Sequence, residues 1–201
     1  MTAHEWTYLG SSLLLGSVPF GYILCFLVTR RDIRDEGSGN IGATNVLRTL
    51  GPAGGAATLV LDVLKGALPV WYGLHHFNNP YLVLAAASAA ILGHMYSPFL
   101  KFRGGKGIAT FLGAFAVFHP LAAGLFLAGF FTVLLTTRLV SAASLTGVGL
   151  VFFTHLFTRV PQISMIVFLL GMLIALRHRR NIIAITQGEE RRFQLGKFPH
   201  D

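Results

Sequence analysis

Seven apolar stretches, at residues 7–29, 52–75, 80–100, 107–118, 120–137, 139–157 and 160–177, leave little of this chain outside them. A membrane-crossing helix needs about 20 predominantly apolar residues, and most of the stretches comply. The 107–118 stretch is short and needs tilt, bilayer thinning or burial against neighbours to cross. Composition agrees: 12% of residues are charged, where a soluble domain carries roughly twice that fraction. The chain is therefore expected to be an all-α integral membrane protein with a bundle of about seven transmembrane helices. Five crossings plus a re-entrant pair built from 107–118 and a neighbour is the alternative. No linker, low-complexity tract or repeat divides residues 1–201, which read as a single domain.

The distribution of charge gives the orientation. The formal charge of +8 would suggest nucleic acid in a soluble protein, but in a membrane protein it marks cytoplasmic loops. No Lys or Arg precedes the first stretch and Arg30-Arg31 follow it, so it is an anchor with its N-terminus outside rather than a cleaved signal. Seven crossings from that start place Arg30, Arg31, Arg34 and Arg48 in the first inside loop, and Lys101, Arg103 and Lys106 in the second. Arg138 falls in the third, and Arg177, Arg179, Arg180, Arg191, Arg192 and Lys197 in the tail. Fourteen of the sixteen basic residues are then inside, with Arg159 outside and Lys65 within a span. The C-terminus is cytoplasmic, and no nucleic-acid partner is implied. Polar residues gather at this one face, which favours surface chemistry over translocation.

The inside loops read as anion sites. Gly37, Gly39 and Gly42 satisfy the dinucleotide fingerprint, but a charged run leaving a membrane helix precedes them, so the match is accidental. Glycines nevertheless free backbone N–H groups to face an anion; Ser38, Asn40, Thr44 and Asn45 add short polar side chains, and Arg48 adds a phosphate-matching guanidinium. A turn capping the next helix is an equally good account of that loop alone. In the second loop, Gly104-Gly105-Lys106-Gly107 opens an apolar helix, so free N–H groups and the positive dipole end meet a lysine. Gly107 stands where a Walker loop needs a hydroxyl, which disfavours nucleotide hydrolysis. In the tail, positive neighbours oppose protonation of His178, leaving an imidazole able to accept a proton or an alcohol hydrogen bond. Asp62 and Lys65 lie three apart and can pair within the membrane, as a strut or as support for the anion site.

Other acyl-transfer and metal chemistries find no residues here. His-x-x-x-x-Asp, HExxH, a paired-aspartate array and a Ser-His-Asp set are all absent, and Cys25 is the only cysteine. Anion cradles without a strong base or metal suit a substrate already activated, and an acyl phosphate fits. Positioning and electrostatics can then supply most of the rate.

At these loops the sequence resembles the bacterial acyl-phosphate-dependent glycerol-3-phosphate acyltransferases of the PlsY type. The matching residues are Gly-Ser-Gly-Asn-Ile-Gly-Ala-Thr-Asn at 37–45 with Arg48, Gly93-His94 with 99–110, and His178, Asn181-Ile182, Gly188 and Glu190. Asp62-x-x-Lys65-Gly66 also follows the family pattern. Arg103, where lysine is usual, keeps the charge; Ala184 and Ile185 depart from the family's tail. The resemblance implies a compact seven-helix bundle in the inner membrane with a cytoplasmic active site. It implies fatty acyl transfer from acyl phosphate to the 1-hydroxyl of glycerol 3-phosphate, giving lysophosphatidic acid and phosphate, with no metal or other cofactor. Implied partners are acyl phosphate, glycerol 3-phosphate, membrane lipids and a soluble acyl-phosphate-forming acyltransferase. Carried onto this chain, Ser38, Asn45, Lys106 and His178 are catalytic. Gly39, Asn40, Gly42, Thr44, Arg48, Lys65, His94, Lys101, Gly104, Gly105, Gly107, Thr110, Asn181 and Glu190 bind substrate or phosphate.

Overall fold

A computed structural model describes residues 1–157 and 160–193. Arg159 and Lys197, placed outside and in the tail by the sequence reading, lie outside the described residues. The described chain is helical, without strands, and forms two compact units, Met1–Phe118 and residues 119–193.

In the first unit, α1 (Ala3–Ser17) opens with a capping box in which Thr2 and Glu5 satisfy each other's backbone N–H groups. The 7–29 stretch is not one straight helix. It breaks at Val18-Pro19, and α2 (Phe20–Thr29) follows. Pro19 has no N–H to give the preceding turn, so α1 ends there. The third helix, α3 (Ala43–His76), begins well before the apolar stretch at 52 and bends at Gly51, whose φ of 76° and ψ of −172° suit glycine alone. Asn79 caps α4 (Pro80–Met95), which stops short of residue 100; Pro98–Leu100 forms a separate 3-10 turn. The last helix of the unit, α5 (Ile108–Phe118), has 11 residues, or about 16 Å at 1.5 Å each, half a bilayer core. It packs along α3 with Thr110, Phe111, Gly113, Ala114 and Phe115 buried.

Absent side chains set how closely these helices approach. A Cβ on Gly66 would strike the carbonyl of Thr110, and one on Gly113 the carbonyl of Val63, so α3 and α5 touch through backbone. Gly16 against Ala90 and Gly93 against Leu13 do the same for α1 and α4. Lipid gives apolar side chains no reason to associate, so such close dispersion contact carries the packing.

The second unit holds α6 (Pro120–Thr137), α7 (Val140–Leu156), α8 (Pro161–Arg177) and α9 (Arg179–Thr186), with α7 packed against the other three. Prolines open α6 and α8, where a missing N–H costs nothing. The chain bends by 63° between α8 and α9 at His178. Among the described residues, four helical segments are long and apolar enough to cross a bilayer, or five if α8 and α9 make one span.

Candidate active site

The first loop is closed by one buried amide. Asn45, in the first turn of α3, accepts the Ser38 N–H at Oδ1 (2.9 Å), while its Nδ2 faces the carbonyls of Asn40 (2.9 Å), Glu36 (3.0 Å) and Ile33 (3.2 Å). Positive φ at Gly37 and Gly39 lets the chain turn back to meet it. Asn40 Oδ1 takes the Gly42 N–H at 3.3 Å, and no side chain caps α3 beyond Gly42. Ser38 is exposed; Thr44 and Arg48 are half-buried on the first turns of the helix.

Arg34 and Leu100 connect the two loops. Asp32 caps the 3-10 turn Ile33–Asp35 and binds the Arg34 guanidinium, which also reaches the Leu100 carbonyl at 3.3 Å and lies over the Tyr22 ring. Beneath them, Leu100 is buried with Cys25, Ile33, Ile41 and Val46. Sequence reasoning assigned Arg34 only a topological role; its signal was Asp32 two residues earlier. The Arg34 hydrogen bonds hold the Asp32 carboxyl below the usual carboxylate range.

The second loop folds back over the end of α4. Gly104 N–H donates to the Met95 carbonyl (3.2 Å) and Gly105 N–H to the His94 carbonyl (3.0 Å). A Cβ on Gly105 would fall on the His94 imidazole, and one on Gly104 on the His94 carbonyl. Gly107 has a φ of 87° and hands the chain to α5. Lys106 is half-buried between these glycines, whereas Lys101 sits exposed at the loop's tip with a positive φ. Lys65 and Thr110, expected to touch substrate, are enclosed in the bundle. Thr110 Oγ1 has no hydrogen-bond partner among the described residues, and Lys65 is held by Asp62 and the Val18 carbonyl.

In the second unit, His178 is buried and its Nδ1 lies 2.8 Å from the Ile174 carbonyl. A carbonyl only accepts, so Nδ1 carries hydrogen, and in the neutral ring Nε2 is the lone-pair nitrogen. Asn181 Nδ2 donates to Glu190 (2.8 and 3.1 Å), and Ser141 Oγ donates to the same carboxylate at 2.6 Å. Glu190 is thus occupied within the protein, binding Asn181 to the start of α7. Ser141, one of two serines in an otherwise largely apolar run, gave no sequence signal. Among the described residues, no group of three or more His, Cys, Asp or Glu is placed to hold a metal ion.

A family profile described as glycerol-3-phosphate acyltransferase matches residues 7–188. A glycerol-3-phosphate acyltransferase of Desulforudis audaxviator is 43% identical over 190 residues, covering 94% of this chain and 96% of the relative. The chain belongs to the glycerol-3-phosphate acyltransferase family. A family member from Rippkaea orientalis is 42% identical over 190 residues, covering 88% of this chain and 87% of its own. The fold matches a crystal structure of PlsY (YgiH), an integral membrane glycerol 3-phosphate acyltransferase, in its glycerol 3-phosphate form. The TM-score is 0.91 at 35% identity, with 96% of each chain covered. The lysophosphatidic acid form matches with a TM-score of 0.87 at 34% identity and the same coverage. This acyltransferase is accordingly a multi-pass membrane enzyme, as its apolar helices require.

Proposed function

We propose that this acyltransferase moves a fatty acyl group from acyl phosphate to the 1-hydroxyl of glycerol 3-phosphate, releasing lysophosphatidic acid and inorganic phosphate. The observation that carries the reading is the Gly104–Gly107 turn, which brings a lysine and a helix N-terminus together at the end of α4. Such a turn attracts phosphate, and both substrates bring one. The hydroxyl oxygen bonds to the acyl carbon, the bond from that carbon to the phosphate oxygen breaks, and the hydroxyl proton passes to a phosphate oxygen. Lys106 offsets charge gathering on the leaving phosphate. Ser38, Gly39, Asn40, Gly42, Thr44 and Arg48 bind phosphate in the first loop, and Asn45 holds that loop in shape. His178 and Asn181 keep the roles that the family resemblance implies, with Glu190 fixing Asn181.

Residues 1–201 act as one polytopic domain in the inner membrane, crossing it seven times with the N-terminus outside and the loops of residues 30–42 and 96–107 in the cytoplasm. A soluble enzyme that forms acyl phosphate supplies the donor. The test is transfer to labelled glycerol 3-phosphate by purified protein, given acyl phosphate, acyl-CoA or acyl carrier protein, without added metal. Product from acyl phosphate alone is expected, and product from either thioester alone would overturn the donor assignment. Lys106→Ala is expected to lower transfer at least 100-fold with protein abundance unchanged. Normal transfer by that variant would remove the phosphate role of its loop.

A further inference from the structure

Three ionisable side chains are sealed inside the first unit: Lys65 is 1% exposed, Asp62 2% and His94 4%. Lys65 Nζ lies 2.8 Å from Asp62 Oδ1 and donates to the Val18 carbonyl at 2.8 Å, where the α1–α2 break leaves that oxygen accessible. A strut needs no more than this. Asp62 Oδ1 also faces His94 Nδ1, at 3.7 Å, on a different helix. His94 is in the last turn of α4, where the chain departs for the glycine loop. Its carbonyl receives the Gly105 N–H, and its Nε2 stands where a Gly105 Cβ would be. The imidazole is therefore fixed between a carboxylate on its Nδ1 side and the backbone of the glycine loop on its Nε2 side.

We propose that Asp62 is a positioning residue for the phosphate loop: facing His94 Nδ1, it fixes the imidazole on which Gly105, and so Lys106, rests. At 3.7 Å the contact exceeds hydrogen-bond length, so the carboxylate acts on the ring as a nearby charge. Lys65 neutralises the carboxylate on α3, against which α5 is packed through Gly66 and Gly113. Burying two charges merely to join helices is a poor use of them, because apolar side chains would do as well. A carboxylate held at the underside of an anion loop has a use that apolar residues lack. The proposal rests on reading Gly104–Gly107 as the phosphate loop.

The test combines steady-state kinetics for glycerol 3-phosphate with hydrogen exchange at the amides of residues 104–107, on Asp62→Asn, His94→Gln, Asp62→Asn/His94→Gln and Asp62→Asn/Lys65→Met. Asp62→Asn is expected to raise KM about tenfold with kcat within about threefold of wild type, and to speed exchange in the loop. In the His94→Gln background the same change adds nothing further, because both act on one contact. The Lys65→Met double variant, free of buried charge, keeps the raised KM. A wild-type KM in that variant, or multiplied effects of Asp62→Asn and His94→Gln, would reduce Asp62 to the counter-ion of Lys65. Failure of both Asp62→Asn and Asp62→Asn/Lys65→Met to accumulate would do so too. If the wild type transfers no acyl group to glycerol 3-phosphate, the functional reading fails, while faster exchange in Asp62→Asn still decides the positioning.

Discussion

Ser38 donates its backbone N–H to Asn45 Oδ1 at 2.9 Å, so one side chain joins residues seven positions apart and closes the first loop. The amide nitrogen of Asn45 faces three more backbone carbonyls, so the residue holds a shape that no regular element imposes. Replacing it with alanine leaves the Ser38 N–H and the partly buried Glu36 and Asn40 carbonyls without this partner, and the Ile33 carbonyl without it in a buried place. Each such loss costs about 1–3 kcal/mol. We expect Asn45→Ala to unfold several degrees lower in detergent and to lose at least tenfold in acyl transfer. Asn45→Asp keeps the Ser38 contact but turns a carboxylate oxygen toward three carbonyls, and should be no better than alanine.

Gly66→Ala tests the backbone contact between α3 and α5. The added methyl would occupy the place of the Thr110 carbonyl, which cannot swing aside as a side chain can. Overpacking of this kind costs typically 1–3 kcal/mol. Thermal unfolding of the variant should shift down by several degrees, with Gly124→Ala, where nothing lies near the new methyl, as a matched control.

The Asp32–Arg34 pair predicts a pH dependence. Arg34 lowers the Asp32 pKa in the folded protein, so the unfolded chain binds a proton more readily as pH falls. The stability from this pair is complete above the ordinary carboxylate value and is lost as pH drops through the lower, folded value. Asp32→Asn should therefore unfold more easily than wild type at pH 7, by about 0.5–1 kcal/mol for a partly exposed pair. The gap should shrink below pH of about 4, where the carboxylate begins to protonate. A gap that stayed constant to pH 3 would show that charge is not its source.

Ser141→Ala removes one of the donors that hold Glu190 at the start of α7. Acyl transfer is expected to fall about threefold to tenfold, while Glu190→Ala, which also releases Asn181, should cost more and lower abundance. Equal losses from the two variants would mean that the serine carries the whole effect.

Much of this molecule was legible before its structure, and the limits have physical causes. Glycines at 37, 39, 104, 105 and 107 announce their loops because tight turns need backbone freedom, although the Gly104 and Gly105 N–H groups donate to the Met95 and His94 carbonyls rather than staying free for an anion. The prolines at 120 and 161 open helices as their chemistry dictates. The break at Pro19 falls inside the apolar stretch 7–29, where apolarity alone marks no interruption. The early start of α3 was hidden by the Gly51 bend and by polar residues at 43–49. Lys65 and Thr110 stand out in the pattern and the structure encloses both, yet pattern cannot tell a residue that touches a ligand from one that supports what touches it. Ser141 and the His94–Asp62 contact join distant parts of the chain and leave no local trace.

The Val18 carbonyl bears on how the protein is made. It accepts from Lys65, 47 positions later in the chain. During synthesis the acceptor leaves the ribosome first, and Asp62 precedes Lys65 by three residues. When the lysine reaches the lipid, both groups that make it tolerable there have already been translated. The broken first span thus stands ahead, along the chain, of the helix whose lysine it receives.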